Sequence, residues 1–324
     1  MIAQHRGDLD AAEEHHEESL AIKREVGDRH GQAKSLTNLG VVARQRSELD
    51  AAEEYHEESL AISQAIGDRH GQAHDLGNLG AVAQQRGELD AAEAFHEESL
   101  AICEGVGDRR GQAQTLNNLG VVARQRGDLD AAEAYYEESL AICEEIGDRH
   151  GRAQSLGNLG AVAQQRSDLD AAEELHEESL AACEEIGDRH GQANSLHNLG
   201  MVARQRSELD TAEEYHEESL AISQAIGDRH GQAQNINNLG MVARQRGDLD
   251  SAEAYFKEAA ETSLSIDAIS TALDTVRNIM NICEEQEKTE AAIEWCETGI
   301  SVAEEADDFE AQMRFHSRRI ELKE

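Results

Sequence analysis

Residues 111–150 read GQAQTLNNLGVVARQRGDLDAAEAYYEESLAICEEIGDRH, and this 40-residue unit restarts at 31, 71, 111, 151, 191 and 231 without insertion or deletion. Its apolar spacing is helical twice over. Leu116, Leu119, Gly120 and Ala123 fall at i, i+3, i+4 and i+7, which is one helix face. Leu129, Ala132, Tyr136, Leu140, Cys143 and Ile146 mark the buried stripe of a second helix. Gly127-Asp128 separates the two helices, and Asp130 and Glu133 have the spacing of a capping box for the second. Gly147 stands where a helix end needs a left-handed residue, and Asp148 where the next unit's first helix needs an N-cap. Gly120 costs about 1 kcal/mol of helix propensity, so its recurrence points to close helix–helix approach.

The units outside this core keep its register. Residues 1–30 form a truncated N-terminal repeat, because MIAQHR matches MVARQR of the later units. Either that first helix is short by design or the chain is a piece of a longer protein; the piece is the favoured reading. Six regular units span 31–270, and a divergent seventh at 271–308 aligns without gaps. The last stretch, 309–324, is expected to be a capping helix packed through Phe309, Met313, His316 and Ile320. No strand pattern occurs, and there is no proline to break a helix. Two helices cannot bury both of their faces alone, so stacked units must finish the core. The fold class is all-α: a right-handed superhelical solenoid of tandem helix–turn–helix units.

The bulk numbers narrow the function. A net charge of −38 repels nucleic acid and anionic lipid, so neither is an expected partner. Lysine is confined to Lys23, Lys34, Lys257, Lys288 and Lys323, and acidic excess with scarce lysine resembles the proteins of salt-in halophiles. An ordinary acidic scaffold is the alternative. There is no apolar run long enough to span a membrane and no signal-peptide core at the start, so the chain reads as cytoplasmic. Cys103, Cys143, Cys183, Cys283 and Cys296 form no CxxC pair and read as reduced, buried side chains.

The pattern LxxLGxxA followed by GDLDxA, on Leu116, Leu119, Gly120, Ala123, Ala132 and the Tyr136 position, resembles the tetratricopeptide repeat (TPR). The longer unit, with an extended second helix, resembles the repeats of kinesin light chains and Pins-type adaptors. The likeness covers practically the whole chain. Ala43, Ala83 and Ala123 stand where that family usually has tyrosine, which implies a slimmer core. The resemblance also implies that the first helices line a concave groove.

On that face lie Gln114, Asn117, Asn118, Val121, Arg124 and Gln125. Asn38, Asn78, Asn118, Asn158, Asn198, Asn238 and Asn278 form a ladder, and an amide donates and accepts, so a row of them can grip an extended peptide backbone. The alternative is a structural bond between helices. Beside them stand Arg44, Gln84, Arg124, Gln164, Arg204 and Arg244, and arginine pairs carboxylates in a fork. The six first-helix windows from 31–46 to 231–246 hold twelve Lys or Arg against one acid, Asp75. A partner that is an acidic peptide or a protein tail with a C-terminal carboxylate follows. The histidines at 16, 56, 96, 176 and 216 share their position with Tyr136 and Phe256, which fits packing better than metal binding. No phosphate loop, dinucleotide fingerprint or nucleophile turn is present, so neither cofactor nor catalysis is expected.

Three functions remain in play: a peptide-binding scaffold, a sensory or autoinhibitory arm of a larger regulatory protein, and an array that self-associates through its N-terminal end. Repulsion within a −38 chain is screened in concentrated salt, where the Debye length falls to about 3 Å at 1 M. Thermal melts are therefore expected to shift upward steeply between low salt and molar KCl; a flat dependence counts against the halophile reading.

Overall fold

The computed structural model describes the backbone of residues 2–266, 268–306 and 308–323, and the side chains of the same residues apart from 2–8 and 305. The chain divides into two compact units, 1–168 and 169–324. The first contains α1 (Ile2–Val26), α2 (Arg29–Gln45), α3 (Leu49–Ile66), α4 (Arg69–Gln85), α5 (Leu89–Val106), α6 (Arg109–Gln125), α7 (Leu129–Ile146) and α8 (Arg149–Gln165). The second contains α9 (Leu169–Ile186), α10 (Arg189–Gln205), α11 (Leu209–Ile226), α12 (Arg229–Arg246), α13 (Leu249–Leu264), α14 (Ile269–Glu285), α15 (Thr289–Glu305) and α16 (Phe309–Lys323). Each is a stack of helix pairs, and the fold is an all-α solenoid.

The helix ends follow the local chemistry. Gly147 closes α7 at φ 70°, and the Asp148 carboxylate accepts the Gly151 N–H at the start of α8. The second helices start differently from the expected capping box. Asp128 is the N-cap of α7 and accepts from Ala131 N, while Asp130 and Glu133 both turn to Arg166 of the next unit. A carboxylate pair at i, i+3 serves a distant guanidinium as readily as its own helix end.

The core is built from leucines and valines on the first helices, set around a glycine and an alanine, and from one ring, an isoleucine and small residues on the second. Leu116, Leu119, Val122 and Ala123 are buried, as are Ala132, Tyr136, Ile142 and Cys143. Ile146 is exposed, and Ser139 and Ile142 take its expected place, because the second helix is gripped on two sides rather than along one stripe. One contact recurs. A Cβ added at Gly120 would lie 2.5 Å from the Tyr136 ring, and Gly40, Gly80, Gly200 and Gly240 meet His56, His96, His216 and Phe256 in the same way. In the diverged pair α14–α15 the volumes are exchanged: Met280 replaces the glycine, and Cys296, 3.2 Å from its sulfur, replaces the ring.

Both chain ends depart from expectation. α1 runs unbroken through Gly7 and Asp8, where each later unit turns. Fewer than two helical turns precede that point, and the side chains of residues 2–6, on which the repeat match rests, lie outside the described residues. At the other end, α16 does not pack through the predicted stripe. Phe315 is buried against Gly299, with Ala311 and Leu322 beside it, while Phe309, Met313 and Ile320 are 72%, 50% and 58% exposed. The stripe is the face that other first helices turn toward their own second helix. An amphipathic pattern shows which residues share a face, not which neighbour covers it.

All five cysteines are buried and unpaired. His56, His96, His176 and His216 are fully buried, and burial pulls the first three down to about 4 and His216 to about 3. Both ring nitrogens of His56, His96 and His176 lack a partner. His74 and Arg44 beside His56, and His197 and Arg204 beside His216, work in the same direction. The unfolded chain therefore binds more protons than the folded one between about pH 6.5 and pH 4. Stability from these rings is complete above pH 6.5 and falls as pH drops through that window, by up to about 1.4 kcal/mol per pH unit for each ring. Replacing all four by Phe, the residue already at 256, is expected to flatten chemical-denaturation stability against pH; an unchanged slope counts against the assignment. Separately, Gly120→Ala is expected to destabilise by about 1–3 kcal/mol despite its better helix propensity. In a double-mutant cycle with Tyr136→Cys, the pair is expected to cost less than the sum of the single changes.

Candidate functional site

The first helices touch their neighbours of the same kind: α2–α4, α4–α6 and α6–α8 in the first unit, α10–α12 and α12–α14 in the second. They form an inner layer whose free side carries the predicted residues. Asn38, Val41 and Arg44 are partly exposed there, as are Asn78, Ala81 and Gln84, Asn118, Val121 and Arg124, and Asn158, Ala161 and Gln164. In 169–324 the same side carries Asn198, Met201 and Arg204, then Asn238, Met241 and Arg244.

The asparagines are not equivalent. Asn158 Nδ2 donates to Asn117 Oδ1 at 2.7 Å, and Asn278 does the same to Asn237 at 3.1 Å. Asn78 lies 3.3 Å from His74 Nδ1. Among the described residues, Asn38, Asn118, Asn198 and Asn238 have no side-chain partner. The ladder is thus partly occupied by bonds between helices and partly free.

Beneath this side runs a polar seam that the sequence reading missed. Asn117 belongs to it rather than to the open face; it is buried and donates to Ser139 and Ser155 at 3.0 and 2.9 Å. One unit earlier, buried Asp75 lies 2.9 Å from the hydroxyls of Thr37 and Ser59 and 3.1 Å from that of Ser63. Burial pushes its carboxyl up, and the three hydroxyls oppose the shift. The signal available in the sequence was the serine or threonine recurring mid-helix, as at Ser59, Ser99 and Ser139, where an apolar residue would pack more simply.

The arginines also divide. Arg46, Arg86, Arg126, Arg166, Arg206 and Arg246 do not face the inner side. Each forks between an Asp and a Glu of the preceding unit's second helix, as Arg126 does to Asp90 and Glu93, both at 2.6 Å. Six of the twelve cations counted on the first helices are therefore engaged inside the molecule. Arg244 is tied to Glu285. Arg44, Arg124 and Arg204 each have a buried Nε with no partner, and among the described residues no ion pair involves their guanidiniums. Gln84 donates to Gln125 at 3.0 Å.

In 1–168 these groups border a cleft of about 1000 Å³ lined by Lys34, Asn38, Arg44, His74, Asn78 and Asn118, among others. The turn histidines His30 and His70 at its edge face the N-cap carboxylates Asp68 and Asp108 at 3.1 and 3.4 Å. Among the described residues no three His, Cys, Asp or Glu side chains converge as metal ligands would, and no helix is long and apolar enough to cross a membrane. Chemically, the cleft offers amides and the Arg44 guanidinium to an anionic or peptide-like ligand.

The tetratricopeptide repeat model matches six overlapping windows, 1–65, 32–105, 72–145, 111–185, 151–225 and 191–265. No curated protein matches the chain. Among solved structures it is similar to BtubC (BKLC) from P. vanneervenii, 21% identical, with a TM-score of 0.60 over 68% of this chain and 92% of that one. It is similar to the signal transduction ATPase with numerous domains (STAND) from Pyrococcus horikoshii, a protein with a tetratricopeptide repeat sensor. That pair is 15% identical, with a TM-score of 0.69 over 96% of this chain and 49% of that one. It is also similar to a Rap protein complexed with competence and sporulation factor, 12% identical, with a TM-score of 0.62 over 99% and 97%. These likenesses are of fold. The matched windows run without a break from residue 1 to residue 265, and the chain belongs to the tetratricopeptide repeat family.

Proposed function

We propose that the chain is a protein-interaction module that holds an extended peptide or protein tail along the inner side of its first helices. The observation that carries this reading is the set of amides without a partner and guanidiniums without an ion pair on that side, Asn38, Asn118, Arg44 and Arg124 in 1–168 and, on the equivalent side of 169–324, Asn198 and Arg204. A chain that pairs six other arginines so regularly leaves these three open. The amides match a peptide backbone, and the arginines favour acidic side chains or a C-terminal carboxylate. No catalytic step is proposed.

Two further readings have support. The STAND protein's tetratricopeptide repeats are a sensor, and the Rap protein's structure holds a bound factor; by analogy this chain is a sensory arm of a larger regulatory protein. Self-association through the N-terminal end is supported by Ile22 of α1, 60% exposed, whose equivalent Ile62 is 4% exposed.

Selection of phage-displayed peptides on the folded chain is expected to return acidic sequences. Substituting Asn38, Asn118 and Asn198 together by Ala is expected to abolish their capture with helicity unchanged by circular dichroism. Lysine-rich winners, or undiminished capture, would overturn the reading.

A further inference from the structure

Units of 1–168 alternate in kind along the inner side and the buried seam beneath it. Those from 31 and 111 carry Thr37, Val41 and Arg44, and Asn117, Val121 and Arg124. Those from 71 and 151 carry Gly77, Ala81 and Gln84, and Gly157, Ala161 and Gln164. The chain repeats every 40 residues, but this surface repeats every 80.

The contacts alternate with it. Thr37 reaches Asp75 of the next unit, and Asn117 reaches Ser155 and Asn158 of its own next unit. Gly77 and Gly157 have no side chain to send across; a Cβ at Gly77 would find Ser99 Oγ 4.0 Å away and nothing nearer. The ladder amides follow the same rhythm, with Asn38 and Asn118 free and Asn78 and Asn158 engaged. Arg44 and Arg124 present unpaired charge, while Gln84 and Gln164 present none. Free amides and guanidiniums without an ion pair thus coincide on every second unit, with a recess at Gly77 and Ala81 between them.

Resting on the reading of this side as a peptide groove, we propose that residues 31–168 select an acidic peptide by two-unit register: two carboxylate side chains held by Arg44 and Arg124, with a bulky side chain midway over Gly77 and Ala81. First helices packed at about 10 Å place the two arginines roughly 20 Å apart across one intervening helix. An extended chain rises about 3.3 Å per residue, so the two carboxylates lie about six residues apart. The neutral, stepped unit between them makes a three-residue spacing unproductive. General attraction between an acidic peptide and cations would be indifferent to spacing.

The test uses the full chain and fluorescein-labelled synthetic peptides of Gly, Ser and Thr. Each carries two glutamates at separations from two to ten residues and one leucine between them; a single-glutamate peptide is the reference, and binding is read by anisotropy near physiological salt. Affinity is expected to peak at a separation of about six, tenfold or more above the reference. Arg124→Gln is expected to bring every peptide down to the reference, whereas Arg126→Gln, which breaks a fork away from the groove, leaves the peak in place. A peak at about three, or binding indifferent to separation, overturns the register and leaves the groove standing. Absence of binding by every peptide to folded chain overturns both.

Discussion

A ring of the second helix pressed onto a helix-interior glycine of the first sets the spacing on which the rest of the molecule depends. Tyr136 on Gly120, His56 on Gly40 and Phe256 on Gly240 are the same contact with three ring chemistries. Close approach there is what lets Ala123 and Ala132, with almost no volume, be buried core residues. It also turns the opposite side of the first helix outward at a fixed angle, so that Asn118, Val121 and Arg124 share one exposed face. The diverged Met280–Cys296 pair fills the same place with the larger side chain on the first helix and the smaller on the second.

Charge is organised around that spacing as well. At the ends of six first helices an arginine bridges two carboxylates of the preceding second helix, so those units are fastened to the ones before them at the surface. Exposed pairs of this kind contribute little singly, about 0–1 kcal/mol. Their value lies in removing acid–acid repulsion from a chain of −38 where helices converge. With those arginines occupied, the cations left on the inner side are few, and each is the more informative.

Much of this was legible in the sequence because it is local. Helix spacing, the left-handed Gly147 and the capping Asp148 all act within a few residues. What escaped reading depends on a partner one unit away. Asp130 and Glu133 fit a capping box by spacing, but their partner, Arg166, lies 36 and 33 residues on. Asn117 and Asn118 are neighbours in sequence and about 100° apart on the helix, so one enters the buried seam and the other faces out. The apolar stripe of α16 was found correctly as a stripe; which side of the helix meets α15 was decided by Phe315, whose partner is the vacancy at Gly299.

Because each helix pair presents nearly the same apolar faces as its neighbours, the interfaces within each compact unit share their apolar part, while the buried polar seam is matched from one unit to the next. Residues 49–73 and 209–233 differ at one position, Ala51 against Thr211. Unequal recombination between such stretches removes or inserts whole 40-residue units in frame, and the new neighbours meet through apolar surfaces that already fit. The buried seam must find new partners, since Asp75 and Asn117 are each matched to a particular neighbour, and the inner side changes as well. Gain or loss of a single unit in 31–168 places two arginine-bearing or two glutamine-bearing helices side by side, and gain or loss of two restores the order. A gene of this construction can therefore change the order of charged and neutral groups along its product's inner side in one step.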